Sequence, residues 1–161
     1  MGAEDRIELA ADLFRRAFEA QNSGDLETAV DLYQQSIAAF PTAEAHTFLG
    51  WTYSFQGDLQ GAIAECQKAI VVDPDFGNPY NDIGAYLLEM GKPDEAIPWL
   101  EKATRASRYD PRHYPHINLG RAYVAKEMLS RALAEFEQAL AFAPDHPVAR
   151  EAVSAIRRRL N

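Results

Sequence analysis

A chain of 161 residues, 47% hydrophobic and 25% charged, has the bulk and balance of one ordinary globular domain, which excludes disorder and a fibrous chain. A formal net charge of -8 argues against general binding to a phosphate backbone, and no apolar run approaches the roughly 18 residues of a membrane span. The only cysteine, Cys66, cannot form an intramolecular disulfide and sits in a helical apolar pattern, so it is predicted to be a core thiol. The opening MGAEDRIELA is acidic where a signal peptide would be basic, and Arg6 stands where a myristoylation signal needs Ser or Thr. The cytoplasm is therefore the expected compartment.

Self-similarity organises the rest. Leu49-Gly50, Ile83-Gly84 and Leu119-Gly120 recur 34 and then 36 residues apart. An alanine follows each glycine at two fixed distances, as Ala62, Ala96 and Ala132 and then as Ala69, Ala103 and Ala139. Each unit reads as two amphipathic helices, A and B, that small residues allow to approach closely.

In chain order, the first unit (9–42) carries the same register in weaker form, with Ala17 in the glycine slot and Arg16 where the others have an apolar residue. It turns at Ser23-Gly24-Asp25 and closes at Pro41. The second (43–76) turns at Gln56-Gly57-Asp58, fills its helix contact with Tyr53 and Cys66, and closes at Pro74. The third (77–112) turns at Met90-Gly91-Lys92, and Pro98, some six residues into its B helix, predicts a kink or a shifted helix start. It ends in Arg108 where a proline is due, and Pro111 arrives after a two-residue extension predicted to bulge outward. The fourth (113–146) uses Tyr123 and Phe136 and closes at Pro144. Pro79, Pro93, Pro115 and Pro147 fall in first turns, where a missing N–H costs little. The last segment (147–160) puts Val148, Ala149, Ala152, Val153 and Ile156 on one face and reads as a capping helix, with Arg157, Arg158 and Arg159 complementing its dipole.

These columns resemble the tetratricopeptide repeat family, and the match spans residues 10 to 146. The resemblance implies an all-α fold, a right-handed α-α superhelix or solenoid of four helix pairs with a C-terminal capping helix, forming one domain over 1–161. It also implies a function in protein–protein interaction, with the A helices lining a concave groove for a peptide or helical segment of a partner. Carried over by register, the contact slots hold Phe14 and Phe18 in the first repeat, Thr47, Trp51 and Phe55 in the second, Asn81, Asp82 and Glu89 in the third, and Asn118 and Arg121 in the fourth. The groove thus reads as aromatic near repeats one and two and polar near three and four. Phe48 is expected to pack between neighbouring A helices. The aromatic cluster predicts an occupant, either a bound segment or residues 1 to 9 folding back. Phe14 and Phe18 stand where the family's carboxylate-clamping variant places Lys and Asn, so chaperone-tail recognition is not expected. Glu44, Asp82 and Glu89 against Arg15 and Arg121 favour a ligand of apolar or aromatic character with basic charge.

No phosphate-cradling glycine loop, HExxH, CxxC or GxSxG is present, and neither catalysis, a metal nor a cofactor is expected. His116 lies within reach of Asp110 and His113 in sequence, but it shares its column with His46 and Tyr80, which marks a packing position. Charge is uneven: residues 1 to 101 hold 5 Lys+Arg against 18 Asp+Glu, and residues 102 to 161 hold 11 against 6. That polarity could steer a partner or drive head-to-tail self-assembly, an alternative to the adaptor, as is a chaperone for an apolar cargo segment.

Overall fold

The computed structural model describes residues Met1–Asn161. Nine helices follow one another: α1 (Ala3–Asn22), α2 (Leu26–Ala39), α3 (Ala43–Phe55), α4 (Leu59–Val72), α5 (Asn78–Glu89), α6 (Pro93–Arg105), α7 (His113–Ala125), α8 (Leu129–Phe142) and α9 (Pro147–Leu160). There is no strand, only a single bridge between Phe76 and Arg108. The helices pack as the pairs α1–α2, α3–α4, α5–α6 and α7–α8, each B helix then leaning on the next A helix, with α9 against α8. Helix α3 also touches α5 directly and α5 touches α7, a closeness that no two B helices share. The A helices therefore crowd the inner side of the stack.

Each A-to-B turn is built alike. A residue in the left-handed region ends the A helix, Gly24, Gly57 and Gly91 with φ of 85, 84 and 73°. The next amide then reaches back five residues, as Asp25 N–H to the Ala20 carbonyl, Asp58 to Tyr53, Lys92 to Leu87 and Met128 to Tyr123, each at 2.9 Å. In the fourth turn Glu127 takes the left-handed position at φ 58°, a conformation that a Cβ makes costly. Asp25 and Asp58 cap the B helices that follow by accepting from the Thr28 and Gly61 amides.

The glycine column explains the tight A–B contact. A Cβ on Gly50 would lie 2.9 Å from the Ala62 carbonyl oxygen, and one on Gly120 would lie 2.7 Å from the Phe136 ring. Ala17, Ala29, Ala62, Ala69, Ala96, Ala132 and Ala139 have no accessible surface. Cys66 is likewise fully buried, and burial pushes its thiol well above the ordinary range, which keeps it protonated and unreactive. Four residues before the glycine slot, each unit solves the A–B contact differently. Leu13 and Leu32 share the buried apolar cluster of the first unit, His46 Nδ1 meets the Glu65 carboxylate at 2.8 Å, Tyr80 lies against Trp99, and His116 Nδ1 meets Glu135 at 2.8 Å. This column settles His116 as a packing residue that also stacks on Phe142.

Three expectations are corrected. Helix α6 starts at Pro93 and runs through Pro98, so of the two outcomes expected of Pro98, a kink or a shifted start, the shifted start does not occur. Residues 3 to 9 extend α1 as its first turns, so they do not fold back over the aromatic cluster. The two-residue extension turns inward rather than outward, because Gly77 leaves room for the Tyr109 ring and donates its N–H to the Arg108 carbonyl at 2.9 Å. Arg108 pins this connection by pairing with Asp73 and Glu44 and lying over the Phe76 ring. At the chain's other end, α9 buries Ala149, Val153 and Ile156 as expected, but Val148 is left 52% exposed. The polar residues Arg150, Ser154 and Arg157 close the end of the stack.

Candidate binding groove

Spacing of four in α1 and of three and four in α3 puts Phe14 and Phe18, and then Phe48, Trp51 and Phe55, on the inner stripes of adjacent A helices. Their rings form one continuous ridge: Phe48 contacts Phe14 (5.2 Å), Phe18 (5.8 Å) and Trp51 (5.7 Å), and Trp51 contacts Phe55 (5.1 Å). Phe48 is the half-buried hub between the two A helices. Phe18, Trp51 and Phe55 keep 38%, 39% and 56% of their surface exposed, more than edge-to-face packing leaves open in a core.

Beside the ridge lies a cleft of about 350 Å³ between α3, α5, the inserted connection and the start of α7. Thr47, Phe48 and Trp51 form one side, Asn78, Asn81 and Asp82 the floor, and Tyr109, Pro111 and Tyr114 the other side. Thr47 is buried and donates to the Ala43 carbonyl at 2.7 Å. Asn81 and Asn118 are buried as well and engage each other: Asn118 Nδ2 donates to Asn81 Oδ1 at 2.9 Å, and Arg121 donates to Asn118 Oδ1 at 3.3 Å. These three residues shape the groove from beneath, whereas Arg121 and Glu89 are exposed on it. Asp82 forms none of the ion pairs in the molecule. Burial pushes its carboxyl up to about 7, a rise that a hydrogen bond from Asn81 only partly offsets. Glu44, counted above with the acidic groove residues, is already held by Arg108.

The far end of the groove differs from the polar surface expected there. Val124, Ala125, Val148, Ala152 and Ala155 line an apolar hollow of about 510 Å³ between α7 and α9, bordered by Arg121 and Arg159. It arises because α9 continues the inner row of helices as well as capping it. Tyr109 and Tyr114 are the functional candidates that register reasoning missed. The signal available was the extension itself, which brings two tyrosines to either side of Asp110-Pro111 and follows a glycine at position 77. No group of three or more His, Cys, Asp or Glu side chains is gathered to hold a metal ion.

Helix pairs stacked side by side in one register define a repeat solenoid. Residues 14–79 and 75–145 match the tetratricopeptide repeat family, and this chain belongs to it. Among curated proteins it is 30% identical over 113 residues to the photosystem I assembly protein Ycf3 of Prochlorococcus marinus, covering 63% of this chain and 65% of that one. It is also 34% identical over 112 residues to cellulose synthase operon protein C of Escherichia coli K12, covering 67% of this chain but 10% of the relative. The chain thus spans just under two-thirds of the first of these and a small part of the second. The solved structure of Pseudomonas aeruginosa pilF superposes with a TM-score of 0.90 at 21% identity, covering 96% of this chain and 70% of that one, a likeness of fold. No helix is long and apolar enough to cross a membrane.

Proposed function

We propose that this chain is a non-catalytic adaptor that holds a peptide or helical segment of a partner protein in its concave groove, working in the cytoplasm. The observation that carries this reading is the exposed ridge Phe18–Trp51–Phe55, continuous with Phe14 and Phe48 on the inner side of the first two repeats. Three rings this open, each in contact with a neighbouring ring, offer large anchors with only two side-chain torsions each to fix on binding. The segment they fit is apolar or aromatic with basic charge, since Asp82 and Glu89 are the unpaired acids along the same face. Partner capture from the producing cell, quantified by mass spectrometry for wild type and for the Trp51→Ala/Phe55→Ala pair, tests it. Loss of the captured partner with an unchanged helical spectrum supports the groove, and equal capture by the folded double variant refutes it.

A second reading has its own observation. The end of the stack exposes Arg150, Arg157 and Arg158, while the first helix begins with Glu4, Asp5 and Glu8. Head-to-tail association through these charges would weaken as salt rises. A monomer whose light scattering is indifferent to salt removes this reading and leaves the adaptor.

A further inference from the structure

The cleft beside the ridge contains a carboxyl group that no basic side chain in the molecule pairs with. Asp82 sits on its floor among Asn78 and Asn81, and aromatic rings, Trp51 on one side and Tyr109 and Tyr114 on the other, form much of its walls. An unpaired carboxyl group in a cleft lined by aromatic residues matches a cation: the acid supplies the charge partner, and aromatic rings attract a cation over their faces. A guanidinium suits the site better than an ammonium. Its planar fork pairs with both carboxylate oxygens while its flat surface stacks on a ring, and it sheds water more readily. The floor is also held in place. Arg121 donates to Asn118 and Asn118 donates to Asn81, so the side chain next to Asp82 on the floor is fixed before anything binds. The inserted connection is itself fixed, by Arg108 on Asp73 and Glu44 and by Tyr109 against Gly77.

We infer that this cleft is the specificity pocket of the groove and takes an arginine side chain of the bound segment, paired to Asp82 and held between Trp51 on one side and Tyr109 of the inserted connection and Tyr114 of α7 on the other. The inference rests on the groove reading above and adds to it the chemistry of one position. Because Trp51 belongs both to the ridge and to the cleft wall, the arginine lies next to apolar or aromatic residues in the segment, which then run along Phe18 and Phe55.

The test uses the intact chain and a phage-displayed library of random dodecapeptides, followed by calorimetry on the selected peptides. The expected result is enrichment of peptides carrying an arginine beside apolar residues. Replacing that arginine by norleucine, or Asp82 by Asn, each weakens binding about tenfold or more, and the two together cost no more than one alone. Replacing the arginine by lysine retains part of the affinity. Peptides that need Trp51 and Phe55 but bind D82N and wild type equally overturn the inference and leave the groove reading standing. Absence of any peptide sensitive to the Trp51→Ala/Phe55→Ala pair overturns both. If D82N does not fold, the arginine-to-norleucine comparison on the wild-type chain decides, since an unchanged affinity there overturns the inference as well.

Discussion

Asp82→Asn makes a stability prediction as well as a binding one. In the folded chain desolvation of the half-buried carboxyl pushes it up to about 7, against 3.8 for an unperturbed Asp. The sign follows directly. Between those two values the folded state binds more protons than the unfolded state, so the contribution of Asp82 to stability falls as pH rises through the window. At about 1.4 kcal/mol per tenfold change in acidity, full ionisation costs about 4 kcal/mol, and water in the open cleft reduces this to about 2–4 kcal/mol. Asn keeps the shape and carries no charge. Urea denaturation should therefore find D82N and wild type similar near pH 4 and D82N more stable by about 2–4 kcal/mol near pH 8. The nearby ionisable groups Cys66, Tyr86 and Tyr109 are all pushed upward by burial and stay neutral across this range, so they do not confuse the comparison. A difference between the two chains that stays flat with pH, or that favours wild type at high pH, refutes the burial argument for Asp82.

Three further outcomes are expected. Glu127→Gly removes a Cβ from a left-handed position filled by glycine in the three sister turns and should raise stability by about 0.5–1 kcal/mol, read from the urea midpoint. Glu65→Gln should cost about 1–3 kcal/mol near neutral pH, because the buried Glu65 carboxylate accepts from His46 and Lys68. Burial raises Glu65, but those two partners outweigh it and hold the group below its ordinary value of 4.5, so the penalty is full above that value and shrinks as pH falls through the lower folded one. Gly77→Ala puts a Cβ into the Tyr109 ring, so it should free the inserted connection and raise amide exchange over residues 106 to 112, with little change in α1 to α4.

The repeat architecture was legible because its constraints are local and repeated. A small residue must stand wherever A and B helices touch, and a left-handed residue wherever they turn, so Gly50, Gly84 and Gly120 and the turn glycines 24, 57 and 91 announce the fold. The aromatic ridge was legible for the same reason, since register alone puts Phe14, Phe18, Trp51 and Phe55 on one side. What register does not convey is where a side chain finds its partner. Asn81 and Asn118 occupy contact slots yet bond to each other, and Glu44 bonds to Arg108, which stands in the closing-proline column and not in a contact slot. The inserted connection escaped for a related reason. An extra pair of residues says that the chain is longer there, but its direction was decided by the space above Gly77 and by Arg108 reaching back one repeat. The apolar hollow at the far end depends on α9 extending the inner row, so Val148 faces the groove instead of the core.

The claim that the inner face of the A helices is the working surface is tested most directly by photo-crosslinking in the cells that make the protein. A benzophenone amino acid placed at Phe18 or Phe55 on the ridge is compared with one at Gln67 on the outer helix α4, an exposed position. The groove account predicts that a partner is trapped from Phe18 and Phe55 and not from Gln67. Trapping from Gln67 with none from the ridge would contradict it.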